Sequence, residues 1–403
     1  MLAILIGILG DFDLAEDALQ DAVVAATSSW PDHGIPDNPA GWLVTTARRK
    51  AIDRLRSTAA SDRRQRAWGE LSIAWDAGDG SEPIADERLR LIFTCCHPAL
   101  TLEAQVALTL RSLGGLSTEE VAKAFLISEA ALSQRIVRAK RKIRHAGIAY
   151  RVPPPEEFRD RLAAVLAVIY LIFNAGYLPP SGEDLVRVDL CDEAVRLVGV
   201  LVDLLPEEPE PQCLAAMMQF HEARRAARID SEGVPLTLEE QDRSQWDRRK
   251  VADGLALLER ARAKGPLGPY GLKASISALH AAAPRPEATD WRAVVHLYDL
   301  LLEWEPSAVV RLNRAVAVAM AGSPGDGLVL IDDPDLAMEL ADYHLYHATR
   351  ADLLRRRGDV DGAVAAYGHA RARTDNAAER RFIDRRLRIL ERTERPERTE
   401  RPE

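Results

Sequence analysis

The sequence predicts an all-α protein in which two small helical modules precede a larger helical domain. Three observations carry that expectation. Only 5% of the 403 residues are aromatic while Ala, Leu, Arg and Glu abound, a composition that favours helix. Apolar side chains recur at intervals of three and four in the segments described below, the period of a helix with one buried face. Proline and glycine clusters cut those segments into blocks, and a chain this long should hold several cores, because single cores seldom grow beyond about 250 to 300 residues.

The first run, LAILIGIL (2–9), is apolar but far shorter than the ~20 residues that span a bilayer, and it lacks the basic leader and cleavage site of a secretory signal. It reads as a buried helix segment, as does LAAVLAVIYLIF (162–173). In DLAEDALQDAVVAATSS (13–29), Leu14, Ala18, Ala22 and Ala26 form one stripe and Asp13, Glu16, Asp17 and Gln20 another, giving an amphipathic helix with an acidic face. The turn-rich WPDHGIPDNP (30–39) follows, and Pro39 opens a second helix to about Ser57. Residues 1–57 thus form one module, and 58–85, without periodicity, a linker.

A second module covers 86–147. Gly114 and Gly115 break one helix, Ser117 and Glu120 supply a reciprocal cap for the next, and Ser128 caps a third that turns Leu132, Ile136, Ala139 and Ile143 inward. Two short helices so joined are a helix-turn-helix signature. Consecutive prolines make 148–156 a stiff boundary. From 157 to 390 the chain is helical again. There Gly358, Ala363, Tyr367 and Ala370 follow the small/aromatic spacing of a tetratricopeptide helix pair, with a degenerate copy around Tyr298 and Pro306. The tail 391–403 repeats a charged, proline-containing hexad and is expected to be disordered.

The formal net charge is −9, which argues against a nucleic-acid partner until its distribution is considered. Arg48, Arg49, Lys50, Arg54 and Arg56 against Asp53 give residues 41–57 a net +4. Arg135, Arg138, Lys140, Arg141, Lys142 and Arg144 against Glu129 give residues 128–145 a net +5. Positive charge gathered on two short helices is the distribution a DNA binder needs, although solvated helix faces would show it too.

Catalytic chemistry is not indicated. No phosphate-binding loop or nucleophile-base order stands out, so the chain is not expected to be an enzyme or to need a cofactor. Cys95, Cys96 and His97 lack a second ligand pair at zinc spacing, the histidines at 221, 280, 296, 344 and 347 form no metal motif, and no metal site is expected. Four cysteines are too few for a disulfide framework, which suits a reducing cytoplasm.

DLAEDALQDAVVAA followed by PAGWLVTTARRKAIDRLRS resembles region 2 of extracytoplasmic-function sigma factors, and GLSTEEVAKAFLISEAALSQRIVRAKRKIR resembles their region 4. FRDRLAAVLAVIYLIFNAGY, EEQDRSQWDRRKVADGLALL and SAVVRLNRAVAVA resemble the extension of the subgroup with a C-terminal tetratricopeptide-like domain. The resemblance implies that Asp13, Glu16, Asp17 and Gln20 grip the clamp of the largest polymerase subunit. It implies that Trp42, Thr46, Arg48, Arg49, Lys50, Arg54 and Arg56 open the minus-10 element, with Trp30 to Asn38 forming a base pocket, though Trp42 also suits a core position. Ser133, Gln134, Val137 and Arg138 would read minus-35 base edges, with Arg135, Lys140 and Arg141 nearer phosphates. Leu126 replaces the usual turn glycine, and region 2 is about one helix short at its N-terminus. The extension is expected to act in cis and to offer a surface to a protein partner, with no membrane involved. The alternative is a one-component regulator in which a helical sensor controls a helix-turn-helix; it leaves the region 2 block unexplained.

Overall fold

The computed structural model describes residues 1–58, 83–113, 116–124, 127–148, 150–179, 181–183 and 185–394, and divides into two compact units, Met1–Leu171 and Ile172–Glu403. Most of the expected linker, the Gly114–Gly115 break, the Phe125–Leu126 connection and the tail from 395 lie outside the described residues.

In the first unit, α1 (Leu2–Leu9) buries Leu5, Ile6 and Leu9 and ends at Gly10, whose φ of 63° is the left-handed conformation glycine adopts without strain. This helix, preceding the acidic one, packs on the helices Phe12–His33, Pro39–Thr58 and Pro83–Cys95. Asp11 caps α2 (Phe12–His33) by accepting the N–H groups of Asp13 and Leu14. The buried seam of α2 is Phe12, Ala15, Ala18, Ala22 and Ala26, so Ala15 rather than Leu14 completes the expected stripe. Its small side chains let α3 (Pro39–Thr58) lie close, with Leu43, Ala47 and Ala51 facing inward. The helix also runs past Trp30, carrying Pro31 into its last turn, so the turn-rich segment is shorter than its composition suggests.

The second module consists of α4 (Pro83–Cys95), α5 (Leu102–Ser112), α6 (Thr118–Ala124) and α7 (Glu129–His145). Helix α4 therefore begins inside the segment read as linker. Ser117 and Glu120 exchange the expected bonds, at 3.1 Å from the Glu120 N–H to the Ser117 hydroxyl and 2.6 Å from the Ser117 N–H to the carboxylate. The Ser128 hydroxyl accepts the Ala131 N–H at 3.2 Å and starts α7. Leu132, Ile136, Ala139 and Ile143 are buried as the spacing predicts, against α5 and α6. The long helix α8 (Pro155–Tyr177) follows the prolines, and its Phe158 and Arg161 engage Phe93 of α4, the latter donating to the Phe93 carbonyl at 2.6 Å.

The second unit is helical too: α9 (Val188–Leu204), α10 (Pro209–Ala223), α11 (Arg248–Arg262), α12 (Pro269–Ala282), α13 (Trp291–Trp304), α14 (Ala308–Ala321), α15 (Pro324–Ile331), α16 (Pro334–Glu339), α17 (His344–Arg357), α18 (Val360–Arg371) and α19 (Ala377–Glu394). Two-residue strands β1 (Ser181–Gly182) and β2 (Asp375–Asn376) pair in parallel. Glu210 of α10 accepts N–H groups from Gly268, Tyr270 and Gly271, closing the N-terminus of α12. Helices α17 and α18 form the hairpin expected at Gly358, which turns at φ 88°, and Ala363, Tyr367 and Ala370 are buried in its core. Helix α19 extends to Glu394, four residues into the segment read as tail.

Candidate nucleic-acid interface

Three helices of the first unit carry the predicted site residues. On α3, Arg49, Lys50 and Asp53 are exposed and Thr46 and Arg48 half-buried, while the side chain of Arg56 lies outside the described residues. Among the described residues Arg48, Arg49 and Lys50 meet no carboxylate. Arg54 is different: it reaches back to α2, 2.7 Å from Asp17 and 2.8 Å from Asp21. Trp42 is half-buried and meets Trp30 edge to face, with ring centroids 5.5 Å apart, so its ring is shared between packing and surface. The Trp30 indole N–H is buried without a partner among the described residues.

Helix α7 anchors itself through an apolar seam and presents the opposite face to solvent. Gln134, Val137 (52% exposed) and Arg138 project outward and Ser133 and Arg135 are half-buried. These positions occupy its N-terminal half, where a recognition helix meets base edges. Arg138 donates from Nε to the Gln134 carbonyl at 3.3 Å, which lays the side chain back along the helix. Arg141 and Lys142 are exposed and, like Arg138, meet no acid among the described residues.

Lys140 behaves otherwise. It is 7% exposed, and its Nζ lies 3.0 Å from Asp13 and 3.0 Å from Glu16 of α2. Arg144 adds bonds of 2.9 Å to Asp11 and 3.3 Å to Asp13. Of the acidic stripe, Asp13, Glu16 and Asp17 are thus paired within the chain, and Gln20 is exposed. Sequence reading missed Asp11, Asp21 and Arg144 as site residues. Asp11 carries a signal, as an N-cap residue type directly before a helix, and Arg144 belongs to the counted basic run; what pairs them is tertiary.

Cys95, the last residue of α4, and Cys96, which follows it, are both buried. Desolvation pushes the Cys96 thiol up to about 12, against a contact with the Thr109 hydroxyl at 3.5 Å, and Cys95 is raised as well. No described helix is long and apolar enough to cross a membrane.

Comparison with known proteins matches residues 1–61 to sigma-70 region 2, residues 90–143 to sigma-70 region 4, and residues 161–262 to a family of unknown function, DUF6596. An uncharacterized protein of Rhizobium meliloti (strain 1021) is 40% identical over 386 residues, covering 94% of this chain and 90% of that one. The ECF RNA polymerase sigma factor SigK of Mycobacterium ulcerans (strain Agy99) is 27% identical over 34% of this chain and 74% of its own, and the probable ECF sigma factor SigI of Mycobacterium tuberculosis (strain H37Rv) is 27% identical over 37% and 52%. The two sigma regions fall, in family order, on the two helical modules that hold the basic faces. The chain belongs to the extracytoplasmic-function sigma factors of the sigma-70 family, which direct transcription initiation, and it carries a large C-terminal helical region behind them.

Proposed function

We propose that the chain programs core RNA polymerase for a defined promoter class, with α3 acting at the minus-10 element, α7 at the minus-35 element, and the acidic face of α2 on the polymerase clamp. The observation that carries this is the build of α7. Four buried apolar residues fix its rotation, and that rotation turns Gln134, Val137 and Arg138 outward together at the helix end that would enter a major groove. Gln matches adenine and Arg matches guanine in bidentate fashion, so the face can discriminate sequence as well as bind phosphate. On α3 the exposed cations would track the displaced strand while the Trp30–Trp42 pair supports the pocket for an extruded base. The role is one of binding, in the cytoplasm where polymerase resides, and not of catalysis.

The test is transcription in vitro from genomic promoters with sigma-free core polymerase. The wild-type chain should support initiation, and Arg138→Ala should lower it about 5- to 100-fold at the cognate promoter, the worth of one bidentate base contact. Equal activity of the two chains would remove α7 as the reader.

The C-terminal region is read as a regulator in cis and a surface for a protein partner, with tetratricopeptide-like hairpins such as α17–α18. Its groove of about 710 Å³ between α11, α12 and α13, lined by Leu255, Leu258, Leu279 and Leu297, supports that reading. A chain ended after Leu171 keeps Phe158 and Arg161, which the first unit uses, and should differ from the full chain in the same assay; identical output would exclude regulation in cis.

A further inference from the structure

The second unit gathers cations where no acid pairs with them. Tyr177 ends α8, Arg224 and Arg228 bracket the short turn after α10, Arg243 opens another short turn, and His280 stands near the end of α12. The Arg228 guanidinium lies 3.6 Å from the centroid of the Tyr177 ring, and that of Arg224 lies 5.6 Å from it. Arg224 also comes within 3.1 Å of His221 Nδ1, and His221 meets Tyr177 edge to face at 4.8 Å. Arg243 donates to the His280 and Ala283 carbonyls at 2.6 Å each. Burial first, then Arg224 and Arg243, push His280 down to about 4, so Arg224 stands within electrostatic reach of both groups. Arg228 is 7% exposed. Among the described residues no carboxylate lies within ion-pair distance of Arg224, Arg228 or Arg243: Glu222 is committed to Arg225 and Lys250, and Glu287 acts on Arg243 only at longer range. The Tyr177 hydroxyl, Arg243 Nε and Nη2, His280 Nδ1 and the Trp246 indole N–H are buried without a partner among the described residues. Buried cations and donors are rarely left so, because each gives up its water without return.

We propose that this constellation binds a small phosphoryl-bearing solute, held by Arg224, Arg228 and Arg243 together with the Tyr177 hydroxyl and the Trp246 indole N–H. Charge and donor number select the ligand class. Glu287 offsets part of the charge on Arg243, which leaves about two guanidiniums unanswered, and a phosphoryl group carries about −1.5 to −2 with three strong acceptor oxygens. A carboxylate brings one charge and two oxygens, too few for the orphaned donors. Guanidinium forks also match phosphate oxygens in bidentate fashion. Tyr177, His221, Arg224, Arg243 and His280 are each half-buried, so the site borders solvent and a solute can enter the folded chain. None of these residues lines the apolar groove between α11, α12 and α13, and the site stands whether or not the chain programs polymerase.

The probe is inorganic phosphate, titrated calorimetrically into the full-length chain at neutral pH and constant ionic strength, with acetate as the carboxylate arm. Wild type should bind phosphate at a single site, its melting temperature should rise with phosphate concentration, and acetate should do neither. Arg224→Gln should weaken phosphate binding about 10-fold or more, the worth of a hydrogen bond to a charged group. Tyr177→Phe keeps the ring that Arg228 covers and removes only an unpartnered hydroxyl, so it keeps the fold and should weaken binding about 3- to 10-fold. Arg357→Gln, at a cation paired with Asp359 in the same unit, should bind as wild type does. Absence of phosphate binding by wild type overturns the proposal and leaves water as the partner of the orphaned donors. Acetate binding as tight as phosphate overturns the phosphoryl class. Wild-type affinity in Tyr177→Phe, or in a folded Arg224→Gln chain, puts the phosphate elsewhere and overturns the assignment.

Discussion

Helices α7 and α17 carry similar runs of cations, but α7 pairs only Lys140 and Arg144 and leaves its outward arginines without acids among the described residues, whereas α17 pairs its terminal arginines throughout. At the end of α17, Arg355 lies 2.7 Å from Asp352, Arg356 lies 2.6 Å from Asp352 and 2.5 Å from Glu239, and Arg357 lies 3.2 Å from Asp359; Arg350, one turn earlier, lies 2.7 Å from Asp332. On α7, Arg138 and Arg141 meet no acid among the described residues. Spacing explains part of the contrast. Asp352 stands three and four residues before Arg355 and Arg356, where helical side chains meet, whereas Glu129, the acid of α7, is too far upstream to reach Arg138 or any cation beyond it. A paired arginine run serves stability, and an unpaired one is left available for phosphate and base edges.

The largest effect that would sharpen this contrast is on stability. Asp352→Ala leaves two guanidiniums at a position where the carboxylate is only 26% exposed, and removing one partner of such a cluster should cost about 2 to 3 kcal/mol. In scanning calorimetry the second unit should melt roughly 5 to 10 °C lower. An unchanged transition would mean that these pairs are as weak as ordinary exposed ones, worth about 0 to 1 kcal/mol.

The pH dependence has a definite sign. Burial pushes the Asp352 carboxyl up, but hydrogen bonds from Arg355 and Arg356 outweigh it and hold the group below the ordinary carboxylate value. The native state therefore favours the ionised form, and the stability it contributes is complete above the unfolded pKa near ~4 and lost as pH falls through the lower folded value. The gap in melting temperature between wild type and Asp352→Asn should be full at pH 7 and narrow in acid. A gap that widens below pH 4 would contradict the assignment.

The helical class, the seam of α7 and both serine caps were legible in the sequence, because each rests on local spacing: Leu132, Ile136, Ala139 and Ile143 repeat at the helical period, and Ser117 and Ser128 stand where capping geometry needs them. The outward direction of Gln134, Val137 and Arg138 follows from that seam. Lys140 was not legible. Its neighbours predict a solvated cation, and only the meeting of α2 with α7 turns it inward onto Asp13 and Glu16. Pro31 misled for a related reason. Proline in a last helical turn deletes one bond of the ladder, and Trp30, packed on Trp42, keeps the helix going past it. Helical pairing in the second unit was visible at Tyr367 and Gly358, but the short β1–β2 pairing, with buried Asn376 donating to the Pro179 carbonyl at 3.1 Å, joins residues nearly two hundred positions apart and leaves no local trace.

The smallest expected effect discriminates most finely between the two arginine runs. Arg141 is exposed and meets no acid among the described residues, and on a phosphate it would release about one condensed counterion. Arg141→Ala should therefore weaken binding of loaded polymerase to cognate and scrambled promoter DNA alike, and lower the slope of log affinity against log salt by about 0.9. Arg357→Ala, whose guanidinium answers Asp359 in the other unit, should leave that slope where it was. Equal slopes for Arg141→Ala and wild type would show that the exposed cations of α7 stand off the duplex. DNA affinity would then rest on α3, whose Arg49 and Lys50 are exposed in the same way.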